Sequence, residues 1–244
     1  MIVPTNTSDF NDYDKIIDNR NNTLWNEVNE HFTIDLFYYE GNHAFVNSER
    51  KSAQLYLNLD IDPDLFTHEL LHLWMEKNSI TFGSYLKLWL NETPDLQIVF
   101  VNDLLDHIGN TIDHFLMFPR YLELGFDPLK FLHDASTSKC NLKELSIIKR
   151  LFRMIGIYNG EAIEHYIAAF FAMKSDHISR DYTNYLLKLK AINADLYSIL
   201  LKFWKSIAEY DIYNNDQITN PYYPIVDAFV DEMKIWRKNK KIVR

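Results

Sequence analysis

The 244 residues suffice for one large domain or two tightly joined subdomains, and 47% hydrophobic with 15% aromatic residues excludes a disordered chain. Six glycines and seven prolines are too few for an all-β fold with its many turns. The net charge of -9, with basic residues scattered except for Lys238, Lys240 and Lys241, excludes a general nucleic-acid surface and leaves those lysines as a solvated tail.

In chain order, residues 1–12 read as loosely ordered, and the polar, acidic start lacks the basic and apolar segments of a secretion signal. With no apolar run near membrane-span length, the expectation is a cytoplasmic protein with no membrane partner. Tyr13 to His31 reads as a helix weakened by the polar run Asp18 to Asn22. Phe32 to Tyr39, β-branched and aromatic, reads as a strand. Gly41-Asn42 is a turn signal, His43 to Asn47 a short second strand, and Ser48 to Ser52 a charged connection. Gln54 to Asp60 alternates, with Leu55, Leu57 and Leu59 on one face, as in a half-buried strand.

The next helix starts from Asp62 as N-cap, with Pro63 at its first position. It carries His68, Glu69 and His72 in the order H-E-x-x-H. Positions i and i+4 share a helix face, so His68 and His72 can grip one metal ion. Glu69, one residue on, can meet a water bound to that metal. The competing reading is a buried amphipathic helix whose histidines are satisfied in the core, since Phe66, Leu70, Leu73 and Trp74 surround them. A strand running directly into an H-E-x-x-H helix resembles the zincin superfamily of zinc peptidases. That resemblance implies an α+β, predominantly helical fold, with a small N-terminal sheet whose edge strand leads into the metal-binding helix. It also implies Zn2+ as cofactor.

Beyond Lys77 the pattern is helical almost throughout. Tyr85 to Leu90 is a short helix, and a longer one starts at Thr93-Pro94-Asp95 and runs to Phe118, stopped by Pro119. Gly125 to Pro128 is a turn. Leu142 to Ile155, Glu161 to Lys174, Arg180 to Leu189, Ala194 to Tyr210 and Ile225 to Lys238 are further helices, with Asn159-Gly160 separating the first two. The change of character near Asn78 to Phe82 suggests an N-terminal subdomain over 1–80 and a helical one over 81–244, together one catalytic domain.

Catalytic zinc takes three protein ligands and leaves a fourth position open. The metzincin continuation is excluded, because Met75 and Asn78 stand where it needs Gly and His. Asn91-Glu92 matches the Asn-Glu pair of thermolysin-like enzymes but precedes Pro94. Richer is the face formed by Asp103, Asp106, His107, Asn110, Asp113 and His114, which fall in one arc of a helix. Its plain alternative is a solvated face, but it has neither lysine nor glutamate. Asn110, Asp113, His114 and Pro119, followed by Leu124 to Asp127, also resemble a second signature of uncharacterised bacterial zincin-like proteins. His114 is the expected third ligand, with Asp113, Glu92, His107, Glu161 and Glu164 as alternatives. Asp113 or Asp106 would orient a ligand histidine through its second ring nitrogen.

Tyr158, Glu161, Glu164, His165 and Tyr166 form another polar cluster, in which His165 or Tyr166 could stabilise an oxyanion. A capped helix start with a partly buried histidine is the simpler reading. His133-Asp134 is an isolated pair, and Cys140, the single cysteine, reads as packing, without the supporting motif of a deformylase-type ligand. The expected activity is a zinc-dependent hydrolase of peptide or protein substrates, with Glu69 as general base. Its rivals are a non-catalytic zincin fold used for binding and a helical di-iron carboxylate protein. The second needs a further E-x-x-H on a helix, and Glu40 to His43 spans a turn signal.

Overall fold

β-Branched and aromatic residues in Thr33–Tyr39 (β2) and the alternating Ser52–Leu57 (β4) build the first sheet of the computed structural model. The structure describes residues 2–3, 13–39, 44–58, 60–178, 180–214, 216 and 218–244. Most of the segment 1–12, the Gly41-Asn42 turn, the Glu40 to His43 motif and Leu59 therefore lie outside the described residues. With 58% helix and small sheets, the fold is α+β. No helix is long and apolar enough to cross a membrane among the described residues.

Contacts divide the chain into two units. The first comprises Met1–Ile80 and Met117–Ser136, the second Thr81–Leu116 and Thr137–Arg244. Residues 117–136 thus group with the first unit and not with the rest of 81–244.

In the first unit Tyr13–Ile16 (α1) and Asn22–Asn29 (α2) are separate helices where the sequence suggests one. The Asn21 side chain causes the break. Its amide donates to Ile16 O at 2.8 Å and to Thr67 Oγ1 at 2.9 Å, and its oxygen accepts from Asp18 N at 2.9 Å. Such local bonds compete with the helical ladder. The sheet order is β1-β2-β4-β3, with β1 at Ile2–Val3 and β3 at Phe45–Glu49. β4 pairs in parallel with β2, Leu36 opposite Leu55, and antiparallel with β3. The strand leading into the H-E-x-x-H helix is therefore interior, not an edge. The cause is that β3 extends to Glu49 and turns back through Arg50 and Lys51, so the expected charged connection shrinks to two residues. Ala53, Leu55 and Leu57 are buried as the alternation requires, and Phe37 and Phe45 flank Tyr56 on the other face at 5.2 and 4.5 Å.

Pro63–Lys77 (α3) follows β4, and Asn102–Glu123 (α5) supplies its last turns to this unit. Pro119 does not end α5. Proline removes one helical hydrogen bond, at a cost of about 3 kcal/mol. Leu116, Met117 and Tyr121, all buried around it, offset that cost. The helix also starts later than expected. Thr93 directs its hydroxyl back to Trp89 O at 2.9 Å and so caps nothing downstream. Pro94–Leu96 makes one 3-10 turn, and burial of Leu96, Val99 and Phe100 bends the chain before Asn102.

The second unit packs Phe82–Asn91 (α4) on Tyr223–Arg237 (α10) through Thr81 Oγ1 to Tyr222 Oη at 2.7 Å and Tyr85 to Asp227 at 3.0 Å. Gly83 and Gly109 let α4 and α5 cross closely: a Cβ on Gly83 would stand 2.7 Å from Gly109 Cα. Leu142–Leu151 (α6) begins with a reciprocal Asn141–Glu144 cap and stops short of the expected Ile155. In place of its last turn come Arg153–Met154 (β5) and Ile157–Asn159 (β6). These strands, of two and three residues, join Lys241–Val243 (β7) in a second sheet, β5-β6-β7, that the sequence did not suggest. Gly160–Lys174 (α7), Thr183–Ile192 (α8) and Ala194–Ala208 (α9) complete the unit, with Phe203 of α9 stacked on Phe229 of α10 at 4.1 Å.

Candidate metal centre

The phase of α3 is set at its first turn. Asp62, in extended conformation, accepts from Leu65 N at 3.0 Å, and Pro63 takes the first helical position. From that start His68, Glu69 and His72 follow on a helix whose Phe66, Leu70, Leu71, Leu73, Trp74 and Met75 are all buried. It is a core helix, and its two histidines nonetheless converge. His68 is 8% exposed, with its ring 4.9 Å from that of Phe131. Its Nε2 lies 3.3 Å from Nε2 of His72. Two nitrogens each about 2.05 Å from one tetrahedral metal stand about 3.3 Å apart. The pair therefore already has the spacing of one edge of a tetrahedral site.

His114, on α5, brings the third nitrogen. One ligand atom each from His68, His72 and His114 lies within 4.8 Å of the other two, and the group could hold a metal ion. Among the described residues no other cluster of three His, Cys, Asp or Glu side chains does so. The alternatives are engaged or placed elsewhere. His107 Nε2 is 3.3 Å from Ala168 O, Glu164 pairs with Arg244 at 2.6 Å, and Glu92 and Glu161 are exposed. The acidic face of α5 divides in two: Asp103, Asp106 and Asn110 are solvated, with Asp106 on Lys87 at 2.6 Å, while Asp113 and His114 are half-buried. Asp113 Oδ1 is buried and has no hydrogen-bond partner among the described residues. A buried carboxylate oxygen next in sequence to a candidate ligand histidine fits a site that a cation would complete.

Burial sets the charge states. It pushes the His72 imidazole down to about 4, leaving the neutral, metal-ligating form at neutral pH. It raises the Glu69 carboxyl to about 8 and that of Asp113 to about 7. A divalent cation held by the histidines acts the other way on both carboxyls, because nearby positive charge favours the ionised form.

A group that sequence reasoning missed sits one helical turn before His68. Asp64, buried in the first turn of α3, accepts from Tyr121 Oη at 3.2 Å, with Lys130 Nζ at 3.5 Å and Arg20 at 3.9 Å. Arg20 is itself bound to Asp18 at 2.6 Å and lies over the Phe126 ring at 3.9 Å. The network joins three distant stretches to the helix that carries the histidines. Locally, Asp64 looks like any acid in a helix's first turn, so no sequence signal distinguishes it.

The Tyr158 to Tyr166 cluster disperses. The Tyr166 hydroxyl lies 3.0 Å from Leu189 O and 3.1 Å from Asn193 O, which commits it to backbone carbonyls, and His165 points to solvent. His133 and Asp134 are exposed. Cys140 is buried, and burial followed by the charge of Glu144 raises its thiol to about 11, so packing is its role. Comparison of the chain with protein-family models, with curated proteins and with solved structures finds no match to any of them.

Proposed function

We propose that the chain is a zinc-dependent metallohydrolase of zincin type, and within that class a peptidase. The observation that carries this reading is the convergence of three imidazole nitrogens within 4.8 Å, with a buried carboxyl on the residue after the first of them. Three neutral nitrogen donors suit zinc and leave one position of a tetrahedron for chemistry. When bound, zinc lowers the pKa of water to about 7 and polarises a carbonyl as a Lewis acid. His68, His72 and His114 hold the ion. Glu69 takes the proton of the attacking water and delivers it to the leaving amine. The apolar wall of α3 and the ring of Phe131 keep the histidines oriented and exclude water from behind them.

Metal content and hydrolysis of a mixed peptide library test the proposal together. Glu69→Gln is expected to retain zinc and to lose about 100- to 10,000-fold in hydrolysis, the usual worth of a general base. His72→Ala and His114→Ala are expected to lose zinc. Full metal content and activity in His114→Ala would remove it from the ligand set. Native protein that holds zinc but cleaves nothing would turn the reading to a binding module.

A further inference from the structure

The C-terminal residues 234–244 contain six basic side chains and no acid, in a chain of net charge -9. The solvated tail expected there is a strand. β7 pairs in parallel with β6, Ile157 opposite Lys241, so both strands start at the same end of the sheet. The turn entering β7, through Lys238, Asn239 and Lys240, therefore lies at the end occupied by the Ile155-Gly156 turn that enters β6. Charge contacts agree with this placement. Burial first, then Arg153 and Arg237, push the Lys240 ammonium down against the pull of Asp195. Arg153 lies over the Tyr158 ring at 5.0 Å, Lys240 over that of Trp236 at 4.8 Å, and Arg153, Lys238 and Lys241 are exposed.

Between Arg153 on β5 and the lysines that lead into β7, the β5–β6 turn presents apolar side chains to solvent. Met154 is 60% exposed and Ile155 99%. Ile155 has φ +49° and Gly156 φ +79°. Two successive positive φ angles in a two-residue hairpin turn favour Asn-Gly, and β-branched residues resist the first position. Among the described non-glycine residues with positive φ, Arg50, Ser79, Ile155 and Asn239, Ile155 alone is β-branched. The adjacent turn uses Asn239, at φ +65°, for the same need. Neither core packing nor turn chemistry accounts for isoleucine at the tip.

We propose that this end of the second sheet docks on an anionic lipid surface, with Met154 and Ile155 entering the interface and the exposed Arg153, Lys238 and Lys241 facing the headgroups, while Lys240, whose ammonium donates to Trp236 O, holds the turn. Exposed apolar residues flanked by basic ones bind such a surface by burial and charge together. A soluble polyanion would use the basic residues but give Met154 and Ile155 nothing to do. A neutral apolar partner would leave the basic residues without a role.

Co-sedimentation of the full chain with vesicles tests the proposal. Binding is expected to phosphatidylcholine vesicles containing phosphatidylserine, to weaken with added salt, and to be absent with phosphatidylcholine alone. Ile155→Asn is expected to weaken binding by about tenfold or more, while its melting temperature stays level or rises because asparagine accepts the left-handed conformation. The pair Lys238→Glu and Lys241→Glu is expected to abolish binding, with thermal melting confirming that the variant is folded. Glu69→Gln should bind vesicles like the native chain, since Glu69 is not among the residues that meet the lipid in this proposal. Failure of the native chain to bind the anionic vesicles, equal binding to both vesicle types, or unchanged binding by Ile155→Asn overturns the proposal. Capture by heparin without vesicle binding overturns it too, and assigns the basic residues to a soluble polyanion.

Discussion

At the scale of single residues, burial and its partners decide the role of each ionisable group. Asp176, after α7, has a side chain only 1% exposed. Burial alone would raise its carboxyl, but Arg180 at 2.8 Å, Tyr182 Oη at 2.7 Å and Ile178 N at 3.0 Å donate to it and hold it below the ordinary 3.8. A folded-state pKa below the unfolded one gives stability that is complete above the unfolded value and is lost as pH falls through the folded one. Asp176→Asn is therefore expected to cost about 1–3 kcal/mol at neutral pH, the penalty for buried donors deprived of their charged acceptor. Urea denaturation at a series of pH values should show the gap to the native chain narrowing below about pH 4. No motif flags this aspartate, because Arg180 and Tyr182 become its partners only when the loop closes. His68, Glu69 and His72 differ in this respect, since helical spacing alone places them together.

Secondary-structure elements show a second division. Elements whose start chemistry is local were legible: Asp62 caps α3 as its sequence implies, and α7 and α9 begin within one residue of the expected Glu161 and Ala194, where the structure shows Asn159 and Asn193 as their caps. Elements shaped by packing were not. Pro119 reads as a stop, yet buried flanks carry α5 four residues past it. β5 and β6 are too short to show any periodicity, and the residues of β7 read as tail. The Gly83–Gly109 crossing belongs here too, because helix propensity alone would favour alanine at both positions by up to about 1 kcal/mol. A Cβ on Gly83 meets Gly109 Cα at 2.7 Å, while one on Gly109 meets Gly83 Cα at 3.1 Å. Gly83→Ala is expected to destabilise by about 1–3 kcal/mol and Gly109→Ala by less. Equal or higher urea midpoints for Gly83→Ala would show that α4 and α5 can separate without cost.

For the whole molecule, a metal that binds only the folded chain couples the candidate centre to stability. Free zinc at about 1,000 times its dissociation constant adds about 4 kcal/mol, or roughly 10 °C in a protein of this size. Chelation is expected to lower the melting temperature of the native chain by that order and to leave His72→Ala unmoved. A native melting curve indifferent to both zinc and chelator would count against the metal centre.

The amino-acid sequence by itself determined the α+β class, the cap and phase of α3, and the facing of His68 and His72 with Glu69 beside them. Each follows from periodicity and capping within about a dozen residues, where local geometry leaves little choice. Only the tertiary structure decided the rest. It grouped His114, and none of its five alternatives, with the pair, made β4 an interior strand, tied Asp64 to Tyr121, Lys130 and Arg20, and turned a basic tail into a strand beside an exposed isoleucine. Those outcomes depend on which distant segments bury apolar surface together, and side-chain packing between elements is not written in the spacing within any one of them.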